Sequence, residues 1–264
     1  KGAHVSQDIE ISVGDGVQRL RLTRASKRNA LTAAMYDAMS DALIAGDASP
    51  DVAVHMFLGS GGQFSSGNDL NDFLANAKGD QGAIGGVLRF IRTLPGVKKP
   101  MIAVVDGPAT GIAVTLLFHC DLVYASPAAT FSTPFLDLGL VPENGSSLLA
   151  PRIMGYQRAF ELLVLGETFP AERAREAGFV NAVVPSEAIE AVAEKAARRL
   201  ALKPPEALSL SRGLMRGDTK ELAERSHQEA VMFGARLKSP ESREAISAFL
   251  EKRKPDFAKL RSGS

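Results

Sequence analysis

At 264 residues the chain has room for one large domain or two small ones, with a full hydrophobic core. Its 45% apolar and 23% charged residues match an average soluble globular protein, and a formal net charge of +1 gives no reason to expect a polyanionic partner. One cysteine, Cys120, excludes an intrachain disulfide and reads as a buried structural thiol; no apolar run reaches the length of a membrane span, and Lys1 to Gln7 are too polar for a signal peptide.

In chain order, Ile9 to Val13 and Val17 to Leu22 alternate apolar and polar residues around Gly14-Asp15-Gly16, which predicts a β-hairpin. Asn29 to Ile44 has helical spacing, with Leu31, Met35, Met39 and Leu43 recurring every four residues and Thr32 as N-cap. Val52 to Leu58 predicts a strand that ends in the loop Gly59-Ser60-Gly61-Gly62. Ala83 to Thr93 predicts a helix stopped before Pro95, and Met101 to Val105 a strand buried on both faces. Gly111 to His119 is apolar and of helical length; Leu122 to Tyr124 and Thr130 to Ser132 are strand-like. From Gly145 helical periodicity dominates, in Ile189 to Leu202, Pro205 to Met215, Lys220 to Leu237 and Pro240 to Lys252, with one strand-like piece at Val180 to Val184. Alternation followed by helices predicts an α/β core with a helical C-terminal region.

Two segments carry chemistry. In Phe64-Ser65-Ser66-Gly67-Asn68-Asp69-Leu70, a glycine before Asn-Asp allows a sharp turn with backbone N–H groups facing outward. Such groups can cap a helix or bind an oxyanion. In Lys99 to Ala113, a buried strand runs through Asp106-Gly107-Pro108 into a helix opening at about Gly111, whose first N–H groups have no intrahelical partner. One N–H from each segment would make a two-donor hole for a developing negative oxygen. An ordinary Asx-capped turn and a plain strand–turn–helix crossover fit the same residues.

These residues, with Lys27-Arg28-Asn29-Ala30-Leu31-Thr32, Asp106-Gly107 to Asp121, Ala129-Thr130-Phe131 to Gly139 and Ala177-Gly178-Phe179-Val180, resemble the crotonase (enoyl-CoA hydratase/isomerase) superfamily over nearly the whole length. The resemblance implies the crotonase (ClpP-like) fold of repeated ββα units over residues 1–200. It further implies a C-terminal helical region over 201–264 that packs subunits into trimers or dimers of trimers. It also implies an acyl-CoA substrate, with coenzyme A part of the substrate and no separate cofactor. The backbone N–H groups of Asn68 and Ile112 stand where the family holds the thioester oxygen. Hydratases of the family use two glutamates, and the matching positions here are Thr115 and Phe135. The stretches Gly111 to Asp121 and Thr133-Pro134-Phe135 to Pro142-Glu143 are similar to peroxisomal-type 3,2-enoyl-CoA isomerases, in which a glutamate at the position of Glu143 is the catalytic base.

One carboxylate suits an isomerase, which takes a proton from C2 of a 3-enoyl thioester and returns it at C4. Glu143 also fits a charge favoured at a helix N-terminus. Lys27 and Arg28 fit either solvated charges or contacts to coenzyme A phosphates. Ser66, Asp69 and Leu70 belong to the segment that lies along the pantetheine and adenine in relatives, and Gly67 and Gly111 are expected at the coenzyme A site with them; Asp69 also fits a helix cap. Asp106 reads as a turn residue and His119 as a core or interface histidine. Phe73, Phe90, Phe135 and Phe249 read as core or as the lining of an acyl tunnel. His4, His55 and His227 have no metal-ligand spacing, so no metal is expected. The competing functions are hydration, thioester hydrolysis, acyl-CoA binding without catalysis and RNA binding, the last disfavoured because Arg198-Arg199 and Lys252-Arg253-Lys254 are short and flanked by acids. The expected location is bacterial cytoplasm, or a peroxisome or mitochondrial matrix in a eukaryote; neither nucleic acid nor membrane is expected as a partner.

Overall fold

The computed structural model describes residues 4–6, 8–69, 71–72 and 81–261. Leu70 and Phe73 lie outside the described residues, as does the side chain of Phe249. Seven strands form the main sheet: β1 His4–Ser6, β2 Ile9–Gly14, β3 Val17–Leu22, β4 Val54–Leu58, β5 Met101–Val105, β7 Leu122–Ala125 and β10 Ala182–Val183. The first three are antiparallel, and from β3 through β4, β5, β7 and β10 neighbours run parallel. A second sheet of β6 Ala109–Thr110, β8 Thr130–Ser132 and β9 Phe169–Pro170 stands beside it.

All five residues of β4 and of β5 are buried, because helices cover both faces. Side chains alternate as the pleat demands. Val54, Met56, Leu58, Ile102 and Val104 face α7 (Ser186–Ala201) through Ile189, Ala193 and Ala197. Phe57, Met101, Ala103 and Val105 join the larger core with α1 (Ala33–Ala48) and α2 (Gln81–Thr93). The hairpin, both buried strands, the helical periods and the α/β class follow the sequence reading.

The differences are local. α1 starts at Ala33 rather than Asn29, because Thr32 caps it by accepting from Met35 N–H and Arg28 and Asn29 hold left-handed φ values of 53° and 52°. The apolar segment after Gly111 splits into α3 (Ile112–Thr115) and a 3₁₀ turn, Leu116–His119. The strand expected over Val180 to Val184 shrinks to β10, between Gly178, at φ +95°, and Pro185. Cys120 is half-buried, its thiol on the Leu116 carbonyl. After the sheet come α4 (Ser146–Met154), α5 (Tyr156–Leu163), α6 (Ala171–Ala177) and α7, then α8 (Pro205–Arg216), α9 (Thr219–Leu237), α10 (Pro240–Leu250) and α11 (Ala258–Arg261).

Candidate active site

Three loops are welded together at the C-terminal ends of β3, β4 and β5. Asn29, fully buried, donates from Nδ2 to the carbonyls of Ser60 and Gln63 at 3.0 and 2.9 Å. Its own carbonyl accepts from Ser65 Oγ at 2.8 Å, and the Arg28 carbonyl accepts from Ser66 N–H. The second weld joins Phe64-Ser65 to Pro108-Ala109-Thr110: Ser65 N–H donates to the Pro108 carbonyl and Thr110 N–H to the Ser65 carbonyl at 3.0 Å. Gly67 crosses this contact at φ +83°, and a Cβ there would sit 2.7 Å from the Thr110 carbonyl oxygen. Only glycine permits that approach without strain.

This weld brings Asn68 and Ile112 onto one cleft of about 860 Å³, together with Arg24, Lys27, Arg28, Ser66, Gly67, Asp69, Gly111, Phe135 and Leu140. The neighbouring N–H groups have acceptors: Gly67 N–H uses Ser65 Oγ, Asp69 N–H the Leu31 carbonyl, and Gly111 N–H the Ser132 carbonyl. The N–H groups of Asn68 and Ile112 have none among the described residues, and Ile112 is the first residue of α3, where the helix offers none. Tyr36, buried on α1, donates its hydroxyl to Asn68 Oδ1 at 2.6 Å and holds that side chain in place.

Glu143 is not on the cleft wall itself. It lies three residues after Leu140, 5% exposed, and its Oε1 accepts from the Thr115 hydroxyl at 2.7 Å. Thr115 closes the short helix that Ile112 opens. Burial pushes the Glu143 carboxyl up from 4.5 to about 8, against the lowering by the Thr115 bond and with help from the charge of Glu229. A carboxyl that titrates near neutrality can both take and give a proton. The next turn, Asn144 and Gly145, holds φ values of 61° and 72°. The Asn144 carbonyl accepts from His119 Nε2 at 2.8 Å, which places the imidazole proton on Nε2. Burial lowers His119 to about 4, so it is neutral, a core residue as expected from the sequence.

Asp69 accepts from Arg24 at 2.7 Å and from Asn71 N–H at 2.9 Å, both of which lower its pKa against the opposing desolvation. Asp69 also lines the cleft. Lys27 and Arg28 are exposed at the cleft and make no ion pair among the described residues. Asp106 accepts from Ser186 Oγ at 2.8 Å, away from the cleft. Phe90 is core, its ring tilted against Tyr36 with centroids 5.5 Å apart, whereas Phe135 lines the cleft. Tyr36 and Glu229 went unread in the sequence. Tyr36 looks like one more core position of an amphipathic helix, and Glu229 lies 84 residues from the loop it contacts.

The chain matches the enoyl-CoA hydratase/isomerase family profile over residues 12–260. It is 38% identical over 260 residues to enoyl-CoA delta isomerase 2 of Rattus norvegicus, covering 96% of this chain and 66% of that protein, so it spans about two thirds of that relative's length. It is 33% identical to 1,2-epoxyphenylacetyl-CoA isomerase of Escherichia coli (strain K12), covering 93% of this chain and 96% of that one. The solved structure of Pseudomonas aeruginosa OdaA superposes with a TM-score of 0.87 at 42% identity, covering 93% of this chain and 99% of that chain.

Proposed function

Because the chain belongs to the enoyl-CoA hydratase/isomerase family and has its crotonase fold, we propose that it is an isomerase that moves the double bond of a 3-enoyl-CoA to the 2-trans position, an auxiliary step of fatty acid β-oxidation. The observation that carries this reading is Glu143, a buried carboxyl pushed up to about 8, together with a cleft that has two backbone N–H groups on it without a partner among the described residues. Thr115 and Phe135, where hydratases of the family have glutamates, supply no second acid for adding water.

The thioester oxygen sits between the N–H groups of Asn68 and Ile112. As Glu143 takes the C2 proton, the electron pair spreads over C2 to C4 and the oxygen, and the two donors stabilise the charge, each contributing about 2.7–4 kcal/mol to the barrier reduction. Glu143 then returns the proton at C4 and is ready for the next turnover. Lys27 and Arg28 meet the phosphates of coenzyme A at the cleft mouth, with Ser66, Gly67, Asp69 and Gly111 along the pantetheine. Leu70 has the same role by resemblance.

The C-terminal helices support self-association as a homotrimer or a dimer of trimers. Leu210, Leu214 and Met215 on α8, and Val231 and Met232 on α9, are large apolar side chains left in solvent. No helix among the described residues is long and apolar enough to cross a membrane.

Conversion of a 3-enoyl-CoA to the conjugated 2-enoyl-CoA, followed by absorbance, tests the reading with Glu143→Gln alongside. Wild-type turnover and a loss of about two or more orders of magnitude in the variant support it. A wild type that binds the thioester and leaves the double bond in place defeats it, and hydration or hydrolysis of the same thioester becomes the next assay.

A further inference from the structure

Glu229 is buried on α9, with 5% exposure. Its Oε2 accepts from Gly145 N–H at 2.5 Å and its Oε1 from Ser147 N–H at 2.9 Å. These are donors at the start of α4, which has no capping side chain of its own. The helix comes unusually close here. A Cβ on Gly145 would lie 2.5 Å from Leu222 Cδ1 and 2.9 Å from Ser226 Oγ. Leu222, Ser226, Glu229 and Phe233 form one stripe along α9 at helical spacing. The stripe begins on the Gly145 turn and ends at Phe233 on the cleft wall.

We infer that Glu229 is a positioning residue for the proton-transfer site: its carboxylate grips the turn that carries Glu143 and confronts Glu143 with a second negative charge. The inference rests on the isomerase reading. A neutral cap would satisfy the same N–H groups, at least in part. A carboxylate does more, because its charge disfavours ionisation of Glu143 and keeps that group ready to return a proton. The other groups facing the pair are few. Thr115 from α3 bonds Glu143, and the Tyr36 hydroxyl from α1 lies near enough to feel its charge. Arg225, one turn back on α9, faces Glu229. His119 holds Asn144 and stays neutral, with Arg212 and Arg216 beyond it.

The test is Glu229→Gln in the full chain, with the Glu143 carboxyl titrated by carbon NMR and its signal assigned by its loss in Glu143→Gln. The expected midpoint of Glu143 falls by about one pH unit, and the rising limb of the pH–kcat/KM profile moves with it. The plateau kcat falls about tenfold while KM stays within about twofold, since the turn is displaced and the thioester contacts are not. A lowered melting temperature with the Glu143 midpoint and the plateau unmoved makes Glu229 a helix cap only and overturns the inference. If the wild type does not isomerise, the functional reading fails by itself, and the Glu143 titration in the wild type and in Glu229→Gln still decides whether Glu229 sets the proton affinity of Glu143.

Discussion

The Thr115 hydroxyl donates to Glu143 Oε1 across 2.7 Å, in a site where Thr115 is wholly buried and Glu143 only 5% exposed. The same hydroxyl lies 3.3 Å from the Ile112 carbonyl, a second acceptor it can turn to when Glu143 holds its proton. This bond opposes desolvation, so it favours the ionised form that starts the reaction. Thr115→Val keeps the shape and removes the donor. Glu143 then rises above about 8. The rising limb of kcat/KM shifts to higher pH by about one unit, so that activity at pH 7 drops roughly tenfold with the plateau retained. A pH–rate profile of the two proteins checks this; a limb that stays put rejects Thr115 as the hydrogen-bond donor that matters.

Stability follows the same carboxyl. Glu143 is raised in the folded state from 4.5 to about 8, so the native state keeps a proton that the unfolded state gives up. Its contribution is complete below about pH 4.5, declines as pH rises and is lost once pH passes about 8, with a limiting slope of about 1.4 kcal/mol per pH unit. Burial raises Glu229 as well, which adds to the same trend. Glu143→Gln cannot titrate, so its melting temperature should gain on the wild type steadily between pH 5 and pH 8, measured by calorimetry. Parallel melting curves across that range would mean that Glu143 ionises normally.

Tyr36→Phe removes the hydroxyl that holds Asn68 Oδ1 at 2.6 Å and leaves the ring against Phe90. The expected cost in stability is about 0.5–1.5 kcal/mol by chemical denaturation. The peptide of Asn68 loses its lateral support, so kcat falls by roughly tenfold with KM nearly unchanged. An unaltered kcat would show that the Asn68 N–H is held by the backbone weld alone.

Gly67→Ala puts a methyl group 2.7 Å from the Thr110 carbonyl at a φ of +83°. Backbone strain of about 1–3 kcal/mol is expected, seen as a lower melting temperature. The larger effect is on turnover, because the two donor loops are wedged apart: a loss of about two orders of magnitude for a displacement near 1 Å. Near-normal turnover would separate the two loops functionally.

Lys27→Gln combined with Arg28→Gln tests the cleft mouth, where both cations are exposed and unpaired among the described residues. KM for a coenzyme A thioester should rise several-fold, kcat should hold, and the difference should shrink in high salt as screening grows. A KM that does not move removes both residues from the phosphate site.

Much of this was readable from local sequence. The alternation in β2 and β3 and the short, largely apolar runs of β4 and β5 mark these strands, since a strand buried on one face alternates and a strand buried on both does not. Gly67 and Gly111 mark the two donor loops for a local reason: their φ values of +83° and +60° are costly for any other residue. Asn29 misled the reading of α1, because a residue inside a helical period can still be taken by a buried turn, here through two carbonyls more than 30 residues away.

The chain alone determined the α/β class and the two glycine turns, because each depends on residues adjacent in sequence, whereas resemblance to a family, not spacing, singled out Glu143. Only the tertiary structure decided that Glu143 is withdrawn from solvent with its carboxyl pushed up to about 8, that Thr115 bonds it, and that Tyr36 from α1 bonds Asn68 while Glu229 from α9 accepts from the turn after Glu143. Burial and long-range hydrogen bonds are set by which elements pack together, and a proton affinity depends on that surrounding medium rather than on the residue that carries it.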